Sequence, residues 1–150
     1  MSTLTSENCL AAFITALQNN KDVTDLLGDG KNSIGCGTVT ADTQYPYILV
    51  YFTVSIADRR MGRVEGFSNS AMRINIFAEE KAGTPAQETI SEISEAVDAA
   101  LSEEGAVTIA GRDVEAPVFN QVLNNTTLTF SESKVVSFES QAWNMFSSPN

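Results

Sequence analysis

The sequence predicts an α+β domain in which two main helices pack on one face of a mainly antiparallel β-sheet. Three observations predict it. In residues 47–56 the apolar side chains Ile48, Val50, Phe52, Val54 and Ile56 recur at every second position, the period of a strand with one buried face. Leu10, Phe13, Ile14 and Leu17, and later Ile90, Ile93, Val97 and Leu101, recur instead at helical spacing. The resulting order is helix, strand, strand, helix, then two or three strands, and helices laid on one face of such a sheet is the simplest way to close a core.

Taken in order, residues 6–19 form the first helix with a single apolar stripe. Asp22 is placed as the N-cap of a short helical turn carrying Val23, Leu26 and Leu27, with Gly28 as its stop. Residues 28–44 are rich in Gly, Asn, Asp and Thr, which predicts a loop with at most one short strand around Ile34. The strand over 47–56 also has Tyr47, Leu49, Tyr51 and Thr53 on its second face. Met72, Ile74 and Ile76 alternate with Arg73 and Asn75, giving a partner strand that returns antiparallel after the long connection 57–69.

Thr84-Pro85-Ala86-Gln87 has the form of a capping box with proline at the first helical position. The helix it starts buries Ile90, Ile93, Val97 and Leu101, uses Ala96 and Ala100 for close packing, and ends near Gly105. Short strands are expected at 107–109 and at 114–119, the second at an edge because it contains Pro117. Asn124-Asn125 reads as a turn. Val136, Phe138, Ser140 and Ala142 then mark a final strand running on to Trp143 or Met145.

At 150 residues the chain has the length of one domain, 1–150, with frayed ends at about 1–5 and 147–150. Hydrophobic residues at 43% against charged residues at 19% place it among folded, not disordered, chains. The net charge of −10 opposes general attraction to nucleic acid or to an anionic membrane, so any DNA contact has to be local. The N-terminus lacks the basic and apolar regions of a signal peptide, and no apolar run approaches the roughly 20 residues that span a bilayer. No membrane partner is expected.

The chain contains no histidine, which removes Ser-His-Asp and Cys-His nucleophilic systems and the commonest general base and transition-metal ligand. Cys9 and Cys36 form no C-x-x-C and read as reduced core or loop residues. The segment Gly28-Asp29-Gly30-Lys31-Asn32-Ser33 misses a phosphate loop: Asp25 stands at the first glycine position, Asn32 follows the lysine, and the flanking elements come in the wrong order. Asp22, Asp25 and Asp29 do not match a Ca²⁺ loop. No catalytic residue, cofactor or metal is therefore expected.

Two charged groups remain as a candidate protein interface. Glu88, Glu92 and Glu95 share one face of the long helix with no lysine to relieve their repulsion; this is either a solvated face or a ridge that meets a basic partner or lines a passage. Arg59, Arg60 and Arg63, with Met61, supply three of the nine basic residues within one glycine-hinged loop. Solvation is again one reading and a protein contact the other, since arginine and methionine are enriched at interfaces.

One resemblance covers about residues 10–146. Ala16-Leu17, then Val23-Thr24-Asp25-Leu26-Leu27-Gly28, then Tyr45-Pro46-Tyr47-Ile48-Leu49-Val50-Tyr51 resembles the N-terminal half of the tail-completion, or tail-terminator, proteins of long-tailed bacteriophages. Met72-Arg73-Ile74-Asn75-Ile76-Phe77-Ala78 and the helix of residues 90–101 resemble that family's central strand and helix. Gly35-Cys36-Gly37 and the polar stretch 120–133 depart from the pattern. The resemblance implies a non-enzymatic virion subunit, assembled in the host cytoplasm. It implies a ring, typically hexameric, on the head-proximal end of the tail tube, which ends tube growth and allows head–tail joining. The implied partners are further copies of the chain, the tail tube protein and the head connector proteins, with DNA passing through the ring. The other reading of the residues is a small acidic monomeric regulator or inhibitor that binds a basic protein.

Overall fold

The computed structural model describes residues 6–35, 44–57, 68–81, 83, 85–103, 105–109, 112–131 and 134–149. In chain order these form α1 (Ser6–Gln18), α2 (Lys21–Thr24), a 3-10 turn (Gly30–Ser33), β1 (Ile34–Gly35), β2 (Tyr47–Ala57), β3 (Ser68–Glu79), α3 (Ala86–Ser102), β4 (Arg112–Val114), β5 (Val118–Ser131) and β6 (Lys134–Pro149). Among the described residues the sheet runs β1-β2-β3-β6, and β4 and β5 share the far edge of β6. Only β1 and β2 pair in parallel; every other described pair is antiparallel. The class is α+β, as the alternation predicts.

The core lies between the helices and one face of the sheet. Ile48 and Val50 of β2 and Met72, Ile74, Ile76 and Ala78 of β3 meet Phe13 and Leu17 of α1. Ile90, Ile93, Val97 and Leu101 of α3 close the same cluster, and β6 adds Trp143 and Met145. Burying each such side chain contributes roughly 1.5–3 kcal/mol, so the two helical stripes hold both helices to the sheet. On the opposite face Tyr45, Phe77 and Val136 form a smaller cluster with Tyr47, Leu49 and Phe138. Phe77 and Phe138, opposite each other in the β3–β6 ladder, stack there at 5.4 Å.

Several local expectations are corrected. The cap of α2 is Asn20, not Asp22: Asn20 is extended and its Oδ1 accepts the Val23 N–H at 3.2 Å. Gly28 does not stop that helix, which has already ended at Thr24. α3 begins at Ala86, one residue later than a cap at Thr84 would place it, and Thr84 itself lies outside the described residues. Pro85 is the N-cap without a side-chain bond, and the Glu80 carboxylate, reaching over from the end of β3, accepts the Ala86 N–H at 3.1 Å. The period-two face of β2 is interrupted by a bulge, because Phe52 pairs with Met72 but Val54 with Ala71. Thr53 is the extra residue, and its hydroxyl donates to Ala71 O at 2.8 Å.

The last third differs most. Residues 107–109 contribute buried Val107 and Ile109 to the core but form no strand. The single strand expected at 114–119 is two, β4 and β5, separated by residues 115–117, as a proline that cannot donate to the ladder requires. Asn124-Asn125 is no turn: Asn124 pairs with Ser140 and Asn125 with Glu139 in the middle of β5. Ser147 and Ser148, expected in a frayed end, stay in β6 because β4 gives them ladder partners, Val114 and Asp113.

Candidate functional site

A groove opens between α3 and the β5–β6 ladder, lined by Ser94, Glu95, Asp98, Phe119, Gln141 and Trp143. Its wall on β5 depends on an irregularity. Phe119 pairs with Trp143 and Val122 with Gln141, with a register shift between Phe119 and Gln121. Residues three apart on a regular strand point to opposite faces, but Trp143 and Gln141 share a face, so the bulge brings Phe119 and Val122 to the same side. Both stay largely exposed, at 42% and 48%, whereas Trp143 beneath is 1% exposed and meets Phe119 edge to face at 5.5 Å.

The floor is polar and internally satisfied. Buried Gln141 donates from Nε2 to Ser94 Oγ at 2.8 Å and to Glu139 Oε2 at 2.7 Å, and its Oε1 accepts the Trp143 indole N–H at 2.9 Å. A buried amide with its partners in place fixes the indole and ties the sheet to α3. The α3 wall adds the exposed carboxylates of Glu95 and Asp98, one turn apart, with Asp98 Oδ1 accepting from Ser102 Oγ at 3.4 Å. The result is an aromatic and acidic cleft of about 220 Å³. Another concavity, about 280 Å³, lies between Leu26, Tyr45, Pro46 and Thr89, but Glu79 and Lys81 give its lining both signs of charge.

Comparison with known proteins bears on the fold. Neither protein-family models nor curated proteins match the sequence. Among solved structures the chain is similar to a chain of the "Virion of native gene transfer agent (GTA) particle", with a TM-score of 0.66 over 97% of this chain and 99% of that one, at 11% identity. The two chains share one fold. Coverage that complete on both sides means that the likeness is one of whole chains and not of a common substructure.

Of the residues singled out in the sequence, Glu88, Glu92 and Glu95 are all exposed on α3, and Glu95 enters the groove. Its acidic companion there is Asp98, which the i, i+4, i+7 reading passed over. Arg59, Arg60, Met61 and Arg63 lie outside the described residues. The 28–33 segment is a turn, with Gly30 at φ 55° and the Asp29 N–H donating to Ser33 Oγ at 2.7 Å. Among the described residues no three His, Cys, Asp or Glu side chains are grouped to hold a metal ion, and no helix is long and apolar enough to cross a membrane.

The two N-terminal segments that carry the bacteriophage resemblance meet in space. The Gly28 N–H donates to Pro46 O at 3.0 Å, next to a cis Tyr45–Pro46 bond. A Cβ on Gly28 would stand 2.6 Å from Tyr45 O, so the close approach requires glycine there.

Proposed function

We infer that this chain is a structural subunit of a bacteriophage-like virion, and more closely a tail-completion protein. It forms a ring, on a hexameric plan, at the head-proximal end of the tail tube, where it ends tube growth and receives the head connector. The observation that supports this best is the likeness over nearly the whole chain to a chain of a gene transfer agent virion. The resemblance of its residue patterns to tail-completion proteins supports a role in the tail.

Subunits of a closed ring meet through two unlike surfaces, one on each side. The described residues supply material for such contacts: an acidic helix face, a cleft with exposed aromatic and aliphatic side chains, and β5 at the margin of the sheet. Their roles in this reading are to bind and position neighbours, not to perform chemistry.

Electron microscopy of tails assembled with and without the protein tests the proposal. Its absence should leave tubes of uncontrolled length or tails that fail to join heads, and labelled protein should mark one tube end. Tails of normal length that join heads without it would overturn the reading, and a chain that stays monomeric and captures a basic protein would replace it with the regulator.

A further inference from the structure

The hydrogen-bonding inventory of the α3–β5–β6 groove is one-sided. Both N–H groups of Gln141 and the indole N–H of Trp143 are already committed within the floor. What the walls leave available are the carboxylates of Glu95 and Asp98 and the exposed ring of Phe119; the Ser94 hydroxyl is the remaining donor. Acceptors beside a π surface suit a ligand that is positive, planar and rich in donors, which describes a guanidinium better than an ammonium. The volume agrees. About 220 Å³ is below the roughly 300–1,000 Å³ of small-molecule sites but accommodates the end of one long side chain.

The geometry points to an arginine-binding groove whose occupant is the segment Arg59-Arg60-Met61-Gly62-Arg63 of a second copy of this chain. Arginine follows from the groove itself, whereas the second copy rests on the ring reading given above. Charge favours this segment: in a chain of net charge −10, it holds three of the nine basic residues. A guanidinium laid on Phe119 donates to Glu95 and Asp98 together and relieves the repulsion of two carboxylates one turn apart. It therefore converts an acidic surface that repels further copies into one that selects them in a fixed orientation.

Trp143 is the chain's sole tryptophan, so emission excited at the red edge of the absorption band, beyond the three tyrosines, reports on this groove. A synthetic peptide of residues 57–69 is titrated onto the full chain at a concentration where light scattering shows a monomer. A saturable change in emission is expected. The same peptide with all three arginines replaced by alanine should give none, and E95Q/D98N should weaken binding about tenfold, as expected when two charge-assisted contacts are lost. No saturable change, or a response that E95Q/D98N leaves intact, overturns the groove assignment; equal binding of a peptide with lysine at the three positions overturns the preference for arginine. If R59A/R60A/R63A alters the emission of the dilute full chain by itself, the segment fills its own groove and the second copy is wrong. Imaging of tube ends separates this from the ring reading: a chain that binds the peptide yet never marks a tube end loses the ring and keeps the groove.

Discussion

Gly28→Ala is the substitution whose cost the structure fixes most directly. Gly28 is solvent-exposed, so by burial alone the change would be harmless, within about 0.5 kcal/mol of neutral. Yet the added Cβ would lie 2.6 Å from Tyr45 O and 2.9 Å from both C and O of Gln44. These are backbone atoms, so no side-chain rotation relieves the overlap and the two segments have to separate. Overpacking of this kind costs about 1–3 kcal/mol. Losing the 3.0 Å bond from Gly28 N–H to Pro46 O adds roughly 0.5–1.5 kcal/mol. Alanine also restricts the unfolded chain, which offsets roughly 0.4–1 kcal/mol. The net expectation is a loss of about 0.5–4 kcal/mol, measured as a lower urea midpoint in Trp143 fluorescence at unchanged slope. Gly83→Ala is the comparison, since no atom stands within 4 Å of its Cβ and only its positive φ of 84° is strained. A Gly28→Ala stability within about 0.5 kcal/mol of wild type would refute the close approach as the reason for glycine.

Further outcomes are expected from single changes. Gln141→Met keeps the volume but leaves the buried Trp143 N–H without its acceptor, and should cost about 1–3 kcal/mol in urea unfolding. Ile93→Ala, at a fully buried position of α3, should lose about 2–5 kcal/mol. Phe119→Ala should lose only about 1 kcal/mol, chiefly its edge contact with Trp143, so calorimetry should rank the two far apart. Asn20→Ala removes the cap of α2 and should lower stability by about 1 kcal/mol, whereas Asp22→Ala should not.

Most of the scaffold was legible because its signals are local and repetitive. The stripes of α1 and α3 and the alternation of β2 and β3 are written by residues that must all face one core, and each was found within one to a few residues of its bounds. What was not legible depends on partners distant in the chain. Nothing near Asn124 says that its backbone pairs with Ser140, so two asparagines in a row read as a turn. Nothing in the residues next to Ala86 says that Glu80, just past the end of β3, will fold back to cap it. The groove has the same character: Glu95 was visible on its helix face, but Phe119 reaches Trp143 through a bulge and Gln141 reaches Ser94 across 47 residues of sequence. Asp98, three residues beyond Glu95, could have been found by testing i, i+3 spacing beside i, i+4.

The irregular ladder of β5 bears on solubility at high concentration. Among the described residues β5 pairs only with β6, leaving a long edge of the kind that recruits foreign strands. Register shifts at Phe119/Gln121, Val122/Asn124 and Thr129/Ser131 divide that edge. A regular strand added to it could keep step only over residues 124–129, Asn-Asn-Thr-Thr-Leu-Thr. The apolar positions Val118, Phe119 and Val122 fall outside that run, so the stretch able to template a fibril is the one with little hydrophobic gain from doing so. The chain thus carries exposed apolar groups on β5 while denying them to backbone-driven aggregation.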